Sequence, residues 1–202
     1  VNVARLLHAS ALRLPEAPAL AHGARTVATY GRFSERVARL GAGMLARHGL
    51  ARGDRVGLAM RNCPEYYPVL FACWHAGLVA VPINAKLHAR EVATILGNSG
   101  AKLCFVTPDL EASVPQGMSI ASRDYARLSE AEPAAVADVA PGDVAWLFYT
   151  SGTTGVPKGA MLTHGNLLYA TQAYYADIDR LGPGDSILQA APMSHGSGMY
   201  GL

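Results

Sequence analysis

Cysteine is scarce: Cys63, Cys73 and Cys104 are the only three in 202 residues, an odd number with no C-x-x-C spacing. That excludes a disulfide framework and a structural zinc site of the usual kind, and it fits a reducing, cytoplasmic setting. No charged leader followed by an apolar core opens the chain, so no secretory signal is expected. Long hydrophobic runs are missing too. The stretch from Tyr66 to Ile83 holds no Lys, Arg, Asp or Glu, but Pro68, His75, Gly77 and Pro82 interrupt it. It divides into a buried helix and a buried strand rather than one integral membrane segment. The histidines His8, His22, His48, His75 and His88 are scattered without ligand spacing, so no metal site built by the protein alone is expected. Internal repeats and low-complexity tracts are absent as well.

Half of the residues are apolar and the formal charge is only +2, a composition that folds and buries a core without staples. The charge is unevenly placed. Residues 1–61 hold ten Arg and three acids, residues 108–143 two Arg and seven acids, and residues 144–202 only Lys158 and Arg180 as cations. Arg32, Arg36, Arg39 and Arg47 alternate at helical spacing with Phe33, Val37, Leu40 and Met44, which describes the solvated face of an amphipathic helix and not a nucleic-acid surface. The tripeptide Arg52-Gly53-Asp54 reads as a helix-to-strand turn rather than an adhesion signal.

Strand and helix signals alternate. Asn2 is expected to cap a short helix through Leu14. Ala19–Ala21 and Thr26–Tyr30 read as a hairpin turning at Gly23, and the arginine-faced helix runs to His48. Strands near Arg55–Met60, Leu78–Pro82 and Lys102–Val106 enclose helices near Glu65–His75 and Ala89–Gly97. Such βαβαβ alternation predicts an α/β fold with a mostly parallel sheet flanked by helices, ligands binding at the carboxyl ends of its strands. Residues 107–143, rich in Pro and acids, read as a surface excursion with one short strand near Met118–Ala121. A strand is expected at Val144–Tyr149, a helix capped by Thr163 over Gly165–Ala176, a turn at Gly182-Pro183-Gly184, and a strand at Ser186–Ala190. Tyr66-Tyr67 and Tyr174-Tyr175 read as helix packing, and the cysteines as inert core residues.

The informative segment is Tyr149-Thr150-Ser151-Gly152-Thr153-Thr154-Gly155-Val156-Pro157-Lys158-Gly159. Backbone N–H groups and hydroxyls in such a loop can wrap phosphate oxygens, glycine lets the backbone approach, and lysine adds a point charge. A surface loop without function would need neither the buried strand before it nor a lysine held behind a proline. The spacing is not that of a Walker A element, because Gly152 and Gly155 are three apart and Gly159, not a hydroxyl residue, follows Lys158.

These eleven positions resemble the phosphate-binding signature of the AMP-forming adenylating enzymes, the superfamily of acyl-CoA synthetases, luciferases and peptide-synthetase adenylation domains. Thr29-Tyr30, Gly53-Asp54-Arg55-Val56, Gly77 with Val81-Pro82-Ile83-Asn84, and Asn98-Ser99-Gly100-Ala101-Lys102 extend the resemblance over nearly the whole chain. Pro192-Met193-Ser194-His195-Gly196 is similar to the segment that lines the acyl pocket in acyl- and aryl-CoA ligases. Peptide-synthetase adenylation domains usually carry an aromatic-Asp pair there, so His195 favours a CoA ligase. Ser194 stands where many relatives have an aromatic residue, a departure that bears on acyl-channel gating.

The resemblance implies the N-terminal part of the adenylate-forming enzyme large domain, with residues 1–202 a partial AMP-binding domain. The implied reaction joins ATP to a small carboxylic acid, fatty or related, giving an acyl-adenylate and pyrophosphate, and then a thioester with CoA; Mg²⁺ accompanies the ATP. Thr150, Ser151, Gly152, Thr153, Thr154 and Gly155 would cradle phosphate, Lys158 would hold the loop and its charge, and His195 would sit near the reacting carboxylate. His164 is open between a site role and a helix start. The family's later elements, a Tyr-Gly-x-Thr-Glu, a Thr-Gly-Asp and a lid with its lysine, are not found. The chain is therefore expected to be inactive alone and to self-associate through surfaces left uncovered. The alternatives are an inactive nucleotide-binding or interaction remnant and an amino-acid-activating adenylation domain.

Overall fold

The computed structural model describes residues 1–150, 157–182 and 184–196. After helix α1 (Arg5–Arg13), strands β1 (Pro18–His22) and β2 (Arg25–Thr29) form an antiparallel hairpin closed at Gly23, whose φ of 59° is one that a side chain would strain. The Thr29 hydroxyl then accepts from the Arg32 N–H at 3.4 Å and starts α2 (Tyr30–His48), and the left-handed Gly49 ends it. Phe33, Val37, Leu40 and Met44 are the buried stripe of α2, and the arginines between them point outward, as their spacing requires.

Two βα units and a closing strand follow: β3 (Arg55–Ala59), α3 (Tyr66–His75), β4 (Val79–Pro82), α4 (Ala89–Ser99) and β5 (Ala101–Val106). With β6 (Met118–Ser119), β7 (Val144–Thr150) and β8 (Lys158–Thr163) they make a six-stranded sheet of order β6-β5-β3-β4-β7-β8, parallel except for the β7–β8 pair. Alternate residues sort to its two faces. Val56, Leu58, Leu103 and Phe105 join α1, α2, α3 and α5 (Arg123–Leu128) in the larger core. Ala59, Cys104 and Val106 meet Val92, Ile95 and Leu96 of α4 in the smaller one. Helix α6 (His164–Asp177) closes the order. No helix among the described residues is long and apolar enough to cross a membrane.

Three expectations require correction, and one strand was not anticipated. Asn2 does not cap α1, whose N-cap is Ala4. It is buried, its Nδ2 donating to the Trp74 and Ala137 carbonyls at 2.6 and 3.0 Å and its Oδ1 accepting from the Ala4 N–H. Residues 107–143 are no surface excursion, because Val114, Tyr125, Leu128 and Val139 sink into the core and α5 packs on α2. β8 was missed, since a six-residue edge strand with one charge and one glycine shows no alternation. Residues 186–190 form no strand; Ile187 and Leu188 are 50% and 89% exposed and find no ladder partner among the described residues.

The uneven charge has a structural reading. Arginines of the first 61 residues meet acids of the 107–143 segment: Arg47 reaches Glu130 at 3.3 Å, Arg52 reaches Asp143 at 2.6 Å, and Arg61 pairs with Asp109. Each pair is exposed and worth less than about 1 kcal/mol, so the pairs match the two charged stretches to one another without dominating the packing. The Arg52-Gly53-Asp54 tripeptide is occupied in the same way. Asp54 is 7% exposed and holds the Ala51 N–H and the Lys102 ammonium, which keep its carboxyl below the usual range.

Candidate functional site

Because β3, β4, β5 and β7 are parallel, their carboxyl ends share one edge of the sheet, where Met60, Ile83, Thr107 and Thr150 lie. Thr150 ends β7 and Lys158 begins β8; both are exposed, and they are register partners across the hairpin. The two legs of this antiparallel pair therefore end together at one point on the carboxyl edge, and the hydroxyl- and glycine-rich segment follows Thr150 in the chain and precedes Lys158. Ser151, Gly152, Thr153, Thr154 and Gly155 lie outside the described residues.

The legs are locked behind Thr150 and Lys158. Tyr149 Oη donates to Asn98 Oδ1 at 2.6 Å, which ties β7 to the end of α4, and burial raises the phenol pKa. On β8 a Cβ at Gly159 would stand 3.0 Å from the Tyr149 ring, so the ring's position depends on that glycine. Gly159 thus serves the packing of the hairpin rather than a ligand.

The segment carrying His195 reaches the same edge by another route. Asn62, three residues past the end of β3, donates from Nδ2 to the Ala191 carbonyl and accepts at Oδ1 from the Met193 N–H, both at 2.8 Å. Met193 is 2% exposed in the larger core, and the His195 N–H closes a turn on the Pro192 carbonyl at 3.0 Å. His195 itself is exposed. β3 and β7 are separated only by β4, so the two strands that lead to Asn62 and to Thr150 run about 10 Å apart across two strand spacings. Asn62 was not singled out in the sequence. The only available signal was an amide just past a strand's carboxyl end, and nothing local shows what it grips 129 residues later.

His164 belongs elsewhere. It follows β8 at the amino end of β7, where Thr163 pairs with Val144, roughly 20 Å along the strand from Lys158. Its ring is 1% exposed, its Nδ1 accepts from the Val3 N–H at 3.2 Å, and burial lowers its pKa to about 4. Thr163 caps α6 in a reciprocal pair with Asn166, so this histidine is part of a helix entry. The other quoted motifs are structural as well. Arg55 donates to the Ser99 carbonyl at 2.7 Å, and Lys102 holds Asp54 at 2.9 Å. Burial raises the thiol pKa of Cys104 to about 11, and that of Cys73 also rises. All three cysteines are free thiols. Among the described residues no three His, Cys, Asp or Glu side chains converge to hold a metal ion.

A six-stranded sheet, nearly all parallel, with Thr150, Lys158 and a histidine-bearing segment at its carboxyl edge, defines an α/β domain of the type that takes ligands at that edge. The chain belongs to the AMP-binding enzyme family, which residues 7–202 match. It is 40% identical over 191 residues to a feruloyl-CoA synthase of an Amycolatopsis species, covering 92% of this chain and 38% of that protein. It is 32% identical over 201 residues to a 3-hydroxybenzoate–CoA ligase of an Aromatoleum species, covering 91% and 38%. Its fold matches the N-terminal domain of FACL13 from Mycobacterium tuberculosis with a TM-score of 0.87 at 28% identity, covering 100% of this chain and 53% of that one. The chain thus spans about two fifths of the length of these curated relatives.

Proposed function

We propose that this chain is the phosphate-binding portion of a cytoplasmic acid–CoA ligase, which joins a small carboxylic acid to ATP and passes the acyl-adenylate to CoA. The observation that carries the reading is the β7–β8 hairpin, which sets Thr150 opposite Lys158 at the carboxyl edge of a parallel sheet. A carboxylate is a poor electrophile, and its attack on the α-phosphate builds charge on the phosphoryl oxygens. Fixed donors stabilise that charge because they need no reorganisation as it develops. In this role Thr150, Ser151, Gly152, Thr153, Thr154 and Gly155 supply hydroxyl and N–H donors, Lys158 supplies the cation, and His195 faces the acid's carboxylate. The described residues offer no ligand set for Mg²⁺, so no step is assigned to it. Free cysteines, two of them buried, suit the cytoplasm.

An aromatic acid is favoured over an aliphatic one by the names of the two curated relatives above. Because the chain spans only about two fifths of those proteins, it is expected to hold nucleotide without turning it over. Titration calorimetry of this chain with Mg-ATP, beside Lys158→Ala, tests the loop. Saturable binding weakened about tenfold or more by the substitution is expected, in line with loss of one charge-assisted contact. Equal binding by both proteins would remove Lys158 from the site, and formation of acyl-CoA by this chain alone would refute the expected inactivity. In the enzyme that contains it, pyrophosphate exchange driven by hydroxycinnamic and benzoic acids but not by long-chain acids would support the aromatic preference.

A further inference from the structure

We propose that Asn62 is a positioning residue for His195; the proposal rests on the reading of His195 given above. Both ends of the carboxamide are engaged: the Nδ2 group donates to the Ala191 carbonyl and Oδ1 accepts from the Met193 N–H, each at 2.8 Å, bracketing Pro192. A side-chain amide gripping a C=O and an N–H two residues apart copies one rung of a β-ladder, so the Ala191–Met193 segment is docked to the end of β3 without being a strand. The docking directs what comes next. Met193 is pressed into the core, Ser194 is 9% exposed, and the His195 N–H is bonded to the Pro192 carbonyl, so the histidine emerges from a turn whose two preceding residues are fixed.

The anchor is itself held. The Arg61 N–H donates to Thr107 Oγ1 at 3.4 Å and the Arg61 guanidinium pairs with Asp109, which ties the residue before Asn62 to the end of β5. One connected path therefore runs along the carboxyl edge from β5 through β3 to the His195 segment, and Asn62 is its single link to that segment among the described hydrogen bonds.

Hydrogen exchange of this chain tests the link directly, with Asn62→Leu removing both bonds and Asn62→Asp keeping an acceptor for the Met193 N–H. The Met193 amide is expected to lose about tenfold protection in Asn62→Leu, the scale of one lost hydrogen bond. It should recover most of that in Asn62→Asp, while the amides of β3 and β5 stay unchanged in both. Unchanged Met193 protection in Asn62→Leu would overturn the clamp, as would an equal loss across β3 and β5. In the enzyme containing this chain, pyrophosphate exchange adds the functional arm. Asn62→Leu should raise the acid's KM or lower kcat while leaving the KM for ATP alone, with Asn62→Asp partly restored. A matching rise in the KM for ATP would overturn the positioning role. If instead the clamp is lost in exchange and His195→Ala has wild-type kinetics, the role given to His195 fails while the clamp stands.

Discussion

At the scale of single residues, the two histidines near the signature sequence part company on burial and hydrogen bonding. His195 is exposed at the carboxyl edge, whereas His164 is sealed at the opposite edge and spends its Nδ1 lone pair on the Val3 N–H. That bond requires the neutral ring with its proton on Nε2. Burial holds the folded pKa near 4, below the ordinary histidine value of 6.5, so between those limits the unfolded chain binds more protons and stability must fall as pH falls. The slope from one such group is at most about 1.4 kcal/mol per pH unit. In urea unfolding between pH 7 and pH 4.5, the wild type is expected to weaken steadily. His164→Asn, whose Oδ1 can take the place of Nδ1 without titrating, should show a flatter profile. His75, whose pKa burial also lowers, adds slope of the same sign, as do Asp54, Asp109 and Asp143 towards the acid end, where their lowered carboxyl pKa leaves the unfolded chain binding more protons. Identical slopes in the two proteins would mean that His164 is not held neutral by the fold.

At the scale of elements, α2 is set by close approach as much as by its apolar stripe. A Cβ built on Gly43 would stand 2.7 Å from the Leu128 Cα, and backbone at that distance has no rotamer with which to yield. Helix propensity alone favours Ala over Gly by about 1 kcal/mol, while overpacking costs about 1–3 kcal/mol, so Gly43→Ala should destabilise. Gly97 of α4 has nothing within 4 Å of its would-be Cβ, and Gly97→Ala should stabilise by about 0.5–1 kcal/mol. Opposite signs in chemical denaturation would show that contact with α5 decides the first substitution. That contact also explains what was hidden in the sequence. The elements of the central sheet were legible because β3, β4 and β5 are buried on both faces and read as apolar runs between helical periods. The strand expected near Met118–Ala121 is β6, whereas α5 was not legible, being short and held by partners distant in sequence: Tyr125 by Glu65 and Phe105. The loop signature was legible through its local chemistry. The clamp by Asn62 was not, since a carboxamide shows no partner until the chain is folded.

At the scale of the whole molecule, the two edges of the sheet are unequal. β6 is two residues long and offers little to pair with, whereas β8 is six residues with Lys158 its single charge, and its outer side is unpaired among the described residues. Met161 on this strand is 68% exposed, and Tyr169 on α6, the helix that packs on it, is 73% exposed. A long edge with so little charge is a template for strand addition, and the neighbouring apolar groups add area that leaves water on contact. The isolated chain is therefore expected to associate through this edge, with a sedimentation-average mass that rises with concentration and binding of a hydrophobic dye. Met161→Glu combined with Tyr169→Glu should shift association to higher concentration without lowering the unfolding temperature, because both side chains already lie in water. Leu12→Glu, at a site 72% exposed on α1, makes the same change of polarity elsewhere and should leave association as it was. A chain that stays monomeric at every concentration would show that the twist of β8 or the charge of Lys158 already guards the edge. Equal loss of association in all the variants would instead point to general solubility.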